Sequence, residues 1–110
     1  MSEHVIEIDA SRYEGEVLRS AVPVVLDFYS TECPPCEALA PRFAAVAERF
    51  AGKAIFLKVM RQRNRELAAR LGVMSSPTVL FLRGGEEVGR RLCGQIRQSE
   101  LQAEVEALVA

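Results

Sequence analysis

A chain of 110 residues reads as one domain, residues 1–110, large enough to bury roughly two thirds of its extended surface without covalent help. With 49% apolar residues, 26% charged and a net charge of −1, it has no general attraction to nucleic acid or anionic membrane. No apolar run approaches the roughly 20 residues of a membrane span, and MSEHVIEIDASRYEGE lacks the layout of a secretory leader, so a cytoplasmic protein with reduced thiols is expected.

Strands and helices alternate along the chain. HVIEI reads as a short strand, and SRYEGEVLRSA as a helix capped by Ser11 with Tyr13, Val17, Leu18 and Ala21 on one face. PVVLDFY (Pro23 to Tyr29) is a nearly continuous run of β-branched and aromatic residues, the pattern of a strand covered on both faces. The next helix carries Leu39, Ala40, Phe43, Val46, Ala47 and Phe50 at helical spacing, with Pro41 inside it as a kink. AIFLKV (Ala54 to Val59) is a second buried strand, and strand–helix–strand implies a right-handed crossover between parallel strands. NRELAARLG is a short helix capped by Asn64 and stopped by Gly72. TVLFLR and EVGRRLC, joined through Gly84 and Gly85, form an antiparallel hairpin on which Arg90 and Arg91 guard an edge. The last helix opens on the capping box SELQ and buries Leu101, Val105 and Leu108. Together these make an α/β sandwich on a mixed sheet.

YSTECPPCEALAP places Cys33 and Cys36 two prolines apart, where the loop after a central strand turns into a helix. A structural disulfide is the weak reading in a reducing compartment. The spacing also suits zinc, but a structural site takes four ligands. Beyond the pair the chain offers Cys93 and His4, with carboxylates left to complete a set. His4 is most simply a surface residue, and a single histidine argues against a Cys–His hydrolase. Redox chemistry remains. The first turn of a helix has unpaired N–H groups and a positive dipole end, both of which favour a thiolate at Cys33. Prolines suit that turn. Because Pro35 biases its predecessor away from the helical region, Pro34 should stay extended and Pro35 begin the helix, with the Cys36 amide facing the Cys33 sulfur.

VVLDFYSTECPPC with APRF following, SSPTVLFLRGGE and LCGQI resemble the thioredoxin family, over nearly the whole chain. The C-x-x-C spacing alone is a moderate signal; a buried strand before it and Ser-Pro-Thr about 40 residues on make it strong. The resemblance implies the thioredoxin fold, a central mixed five-stranded sheet flanked by four helices, with a cis peptide before Pro77 beside the redox pair. It implies that Cys33 attacks a substrate disulfide and that Cys36 then attacks Cys33 to release the reduced substrate. Cys36 must lose its proton, and Asp27 is the candidate base, since burial in VVLDFY would raise its carboxyl toward the working range. A solvent-facing Asp27 on a half-covered strand is the alternative. Lys58 matches the lysine that lies near this acid in the family. Pro34, Pro35, Ser76, Pro77, Cys93 and Gly94 would line the substrate rim, where a bound peptide pairs as an added strand. The partners implied are disulfide-containing client proteins and a separate NADPH-dependent thioredoxin reductase. With no glycine-rich phosphate loop the chain would bind no cofactor of its own and take its electrons from that reductase, and it is expected to be a monomer without a metal.

The chain departs from the family in several places. Pro34 replaces the usual glycine between the cysteines. Glu32 stands where a tryptophan usually precedes the first cysteine, opposing thiolate formation and putting a negative charge on an apolar docking surface. The chain has no tryptophan, and Tyr29 stands in for the other usual one. Ser76 replaces a larger apolar residue. Arg61, Arg63 and Arg65, in MRQRNR, are either a solvated loop or a docking patch for an acidic partner. Cys93 is either a small buried side chain ending a strand or a third reactive thiol. The expected function is reduction of protein disulfides through the Cys33–Cys36 couple. The alternatives are a thioredoxin-fold binding or scaffold module with little reductase activity, and a metal or iron–sulfur protein using Cys33, Cys36 and Cys93.

Overall fold

The run VVLDFY forms the central strand β2 (Val24–Tyr29) of the computed structural model, which describes residues 2–110. Around it lie β1 (Val5–Glu7), β3 (Ile55–Met60), β4 (Thr78–Arg83), β5 (Glu86–Glu87) and β6 (Leu92–Cys93). The order is β1-β3-β2-β4, with β5 and β6 both paired to β4. β3 runs parallel to β1 and β2, whereas β4 is antiparallel to β2, β5 and β6. Helix α1 (Pro34–Arg49) supplies the crossover from β2 to β3, α2 (Arg65–Arg70) leads toward β4, and α3 (Gln98–Val109) closes the chain.

Alternation along β2 divides the core. Val25 joins Phe43, Val46 and Ala47 of α1, Phe56 of β3, and Leu101, Val105 and Leu108 of α3. Val24, Leu26 and Phe28 point the other way, against Tyr13, Val17, Leu67 and Ala68. Each such fully buried side chain contributes about 1.5–3 kcal/mol of hydrophobic stabilisation. Phe43 meets Phe56 edge to face, with ring centroids 5.5 Å apart, which seats α1 on β3. The sandwich is the expected one, and it puts the N-terminus of α1 at the end of the central strand.

Several local expectations are revised. SRYEGEVLRSA is not one α-helix but a 3₁₀ turn (Ala10–Arg12) followed by a π turn (Glu14–Leu18). Asp9, not Ser11, caps it, its carboxylate accepting from the Ser11 amide at 3.0 Å. Gly15 in mid-segment weakens α-helical propensity there. Leu18 and Ala21 are exposed, as is Ala40 on α1. Asn64 precedes α2 but does not cap it; its side chain donates to the Met60 carbonyl and accepts from the Ala10 amide, tying the end of β3 to the N-terminal turn. The second arm of the hairpin is broken into β5 and β6. Between them Arg91 pairs with Glu87 and donates to the carbonyls of Leu71 and Gly72, which satisfies acceptors left open at the end of α2. In α3 the box begins two residues earlier than SELQ suggests: the Arg97 amide donates to Glu100, and Ser99 lies inside the helix.

Candidate active site

β2 delivers the chain to Ser30, Thr31 and Glu32, and the backbone then turns sharply. Glu32 adopts φ 54°, a left-handed conformation that is uncommon for a non-glycine residue. That turn aims Cys33 into the N-cap position of α1. There its Sγ accepts a hydrogen bond from the Cys36 amide at 3.3 Å, the arrangement expected from sequence. Pro34 and Pro35 both lie in the first turn, so Pro34 begins the helix rather than remaining extended. Neither ring displaces an intrahelical donor at those positions, and this outweighs the steric bias that Pro35 exerts on its predecessor. Cys33 and Cys36 are joined as a disulfide with Cα atoms 5.2 Å apart. Cys36 is 6% exposed and Cys33 half-buried, so an incoming sulfur meets Cys33 first.

Opposite the pair, the Ser76–Pro77 peptide bond is cis. The Ser76 carbonyl oxygen lies 3.7 Å from Cys33 Sγ, and the Ser76 hydroxyl shares a 2.6 Å hydrogen bond with Ser30. The loop is pinned on both sides. The Thr78 hydroxyl donates to the Ser75 carbonyl and Arg61 donates to that of Met74, while the Gly94 amide donates to that of Pro77. Arg61 of the basic cluster is thus used structurally, and Arg65 donates from Nε to the Gln62 carbonyl. Gln62 in turn holds Thr31 through two hydrogen bonds, fixing the loop before Cys33. Met74 projects from the same loop, 85% exposed.

Cys93 is an exposed free thiol, not a buried strand end. It sits opposite Thr78 in the β4–β6 ladder, and the Thr78 hydroxyl approaches its Sγ at 3.7 Å. Thr78 follows Pro77, so Cys93 and Gly94 flank the proline loop, while the disulfide occupies its other side. Among the described residues no group of three or more His, Cys, Asp or Glu side chains is arranged to hold a metal ion.

Asp27 lies on the α1 side of β2 and is 6% exposed, with Oδ1 buried and without a hydrogen-bond partner. Burial pushes its carboxyl up from 3.8 to about 7, against the opposing pull of the Lys58 ammonium. Asp27, Cys36 and Lys58 share the lining of an open cleft of about 1330 Å³ between α1 and the β1–β3 side of the sheet. The solvent-facing alternative for Asp27 therefore falls. Glu7 of this cleft escaped sequence reasoning, and Tyr29 was marked there only as the stand-in for a tryptophan. The Tyr29 hydroxyl donates to Glu7 at 2.5 Å, and the Lys58 ammonium lies 5.3 Å from the centre of the Tyr29 ring. Glu7, Lys58 and Asp27 are register partners across β1, β3 and β2, a row that appears only once the strand pairing is known.

The arrangement holds a reactive pair at a helix N-terminus, a backbone edge beside it and a titratable acid behind it. Comparison with known proteins agrees with that chemistry. The thioredoxin family model matches residues 4–107. The chain is 35% identical over 101 residues to the thioredoxin of Haemophilus influenzae, covering 92% of each chain. It is 29% identical over 107 residues to the thioredoxin of Pseudomonas aeruginosa, covering 97% of this chain and 98% of that one. Thioredoxin 1 of a Nostoc species is 35% identical over 82 residues, covering 74% of this chain and 77% of that one.

Proposed function

This chain belongs to the thioredoxin family and is a thiol–disulfide oxidoreductase, and from that premise we propose how its residues divide the reduction of a client disulfide. In the dithiol state the Cys33 thiolate, favoured by the Cys36 amide and the first turn of α1, attacks one sulfur of the client disulfide. The client S–S bond breaks, a mixed disulfide forms, and the displaced client sulfur leaves as a thiolate that takes a proton from water. Asp27 then accepts the proton of Cys36 across the cleft. The Cys36 thiolate attacks Cys33 Sγ, the Cys33–Cys36 bond closes, and the second client sulfur departs. Two electrons have passed to the client, and thioredoxin reductase restores the dithiol, drawing in our reading on NADPH.

The observation that carries this assignment is the buried Asp27 carboxyl, with Oδ1 unpartnered and its pKa raised to about 7, lining the cleft that Cys36 also lines. Lys58 moderates that rise. Pro34, Pro35, Ser76, Pro77, Cys93 and Gly94 form the rim that receives the client backbone, and Met74 adds an apolar contact to it. We further place the protein in the cytoplasm as a monomer. Among the described residues, no helix is long and apolar enough to cross a membrane.

The test is stopped-flow reaction of the reduced chain with excess dithiobis(nitrobenzoate), in a Cys93→Ser background so that two thiols report. The concentration-dependent release reports attack by Cys33, and the concentration-independent release reports resolution by Cys36. Resolution should rise with pH through about 7. In Asp27→Asn it should slow by about 10²-fold and lose that limb, while the first phase persists. An unchanged pH profile in Asp27→Asn removes Asp27 from the mechanism.

A further inference from the structure

The sheet order β1-β3-β2 puts β3 between the strand that carries Glu7 and the strand that carries Tyr29. Glu7 and Asp27 are both register partners of Lys58, one from each side. Tyr29 lies two residues beyond Asp27 on the same face of β2, and its hydroxyl reaches over β3 to Glu7 at 2.5 Å. The ring so suspended lies against the Lys58 ammonium, 5.3 Å from its centre. We propose that Tyr29 and Glu7 form a strap across β3 that fixes the Lys58 ammonium relative to Asp27, making Tyr29 a positioning residue for the proton step of disulfide exchange. The inference rests on the role assigned above to Asp27.

Asp27 Oδ1 has no hydrogen-bond partner, so Lys58 acts on it through space, and the strength of that action depends on where the ammonium sits. A lysine on a flexible four-carbon stem has no fixed position of its own. The strap supplies one, with a ring face to attract the ammonium and an anchored hydroxyl to hold the ring. Burial and the bond to Glu7 both raise the Tyr29 phenol further above its ordinary range, so it remains a donor throughout the working pH range. Other charges face the same cleft. Cys36, Glu37 and Glu48 enter from α1, Glu32 from the loop before it, and Glu3 and His4 from the N-terminal segment. Arg63, after β3, is close enough for its charge to act on Tyr29. Tyr29 and Glu7 differ from these groups in touching each other across Lys58.

The strap makes two predictions of opposite sign. Tyr29→Phe keeps the ring and frees the Glu7 carboxylate, which then competes for Lys58 and draws positive charge from Asp27. The Asp27 midpoint should rise by about 0.5 pH unit. Glu7→Gln keeps an acceptor for the hydroxyl and removes the competing charge, so the midpoint should fall by a similar amount. Both substitutions are nearly isosteric, and a native amide spectrum of each variant checks the fold.

The experiment is a ¹³C-carboxyl NMR titration of Asp27 in the reduced chain, run beside the pH profile of the resolution phase. Each variant is also made in a Lys58→Met background, where the effects should vanish if the strap works through the lysine. Opposite midpoint shifts, abolished by Lys58→Met, support the strap. Shifts in the midpoint without shifts in the rate profile keep the strap as what sets the Asp27 midpoint, but remove Asp27 as the base and with it the part of Tyr29 in the proton step. Shifts of the same sign, no shifts, or shifts that persist without Lys58 overturn it.

Discussion

Asp27 puts an ionisable group where the surrounding sheet offers one distant charge and no hydrogen bond to Oδ1. Its carboxyl binds a proton more tightly in the folded chain, about 7, than in the unfolded chain at 3.8. The folded state is therefore favoured by that proton at low pH, and the advantage is lost as pH rises from 3.8 through about 7. Above that range the ionised group costs on the order of 4 kcal/mol. Asp27→Asn should accordingly be more stable than the parent, by a margin that widens by roughly 2–3 kcal/mol between pH 5 and pH 8 in urea denaturation. A constant margin would show that the carboxyl titrates normally. Cys93 makes a simpler prediction. In the oxidised native chain it is the exposed thiol, so iodoacetamide should add a single label per chain, at Cys93. A protected Cys93 would exclude it from the substrate rim.

At the scale of elements, the turn between β4 and β5 shows how closely local chemistry is specified. Gly84 and Gly85 have φ 62° and 81°, as a tight hairpin turn requires. A Cβ at Gly85 would also meet the Leu18 carbonyl oxygen at 3.1 Å and its Cα at 3.3 Å. Gly85→Ala should therefore cost about 1–3 kcal/mol in thermal or urea unfolding, and an unchanged midpoint would contradict the packing of this turn on the N-terminal segment. The glycine pair was legible because two residues with positive φ leave a mark in sequence. The break in the strand that follows was not. It depends on Arg91 reaching the end of α2, a contact between segments far apart in the chain. Asn64 misled for a related reason, since a side chain that suits a cap is taken by the distant Ala10 amide and by the Met60 carbonyl on the strand before it. Pro34 departs from the expected extended conformation because a first helical turn asks no donor of it, which outweighs the steric bias from Pro35.

The whole molecule is two apolar layers sharing one central strand, with Val25 in one layer and Leu26 in the other. Neither layer can open without releasing β2, so both should unfold together. The chain has two tyrosines and no tryptophan, and the tyrosines lie on opposite faces. Tyr13→Phe leaves Tyr29 as reporter, and Tyr29→Phe leaves Tyr13. Each variant's urea transition by tyrosine fluorescence should coincide with its own far-ultraviolet dichroism; separate midpoints would reveal an intermediate. This architecture was readable from periodicity, because continuous apolar runs and helical spacing record burial directly. The redox pair was readable because its spacing and setting are local. The family resemblance placed Lys58 near Asp27, but Glu7 at the other end of the row was hidden, since it joins them only when three strands are set in register.

The sulfur that caps α1 is also the atom that changes charge when the pair is reduced. A thiolate accepts the Cys36 amide more strongly than a disulfide sulfur does, so the grip on the first turn follows the number of electrons the protein carries. Fraying at the start of α1 is then a reading of redox state. The exchange rate of one backbone hydrogen, at Cys36, would report it without any added probe.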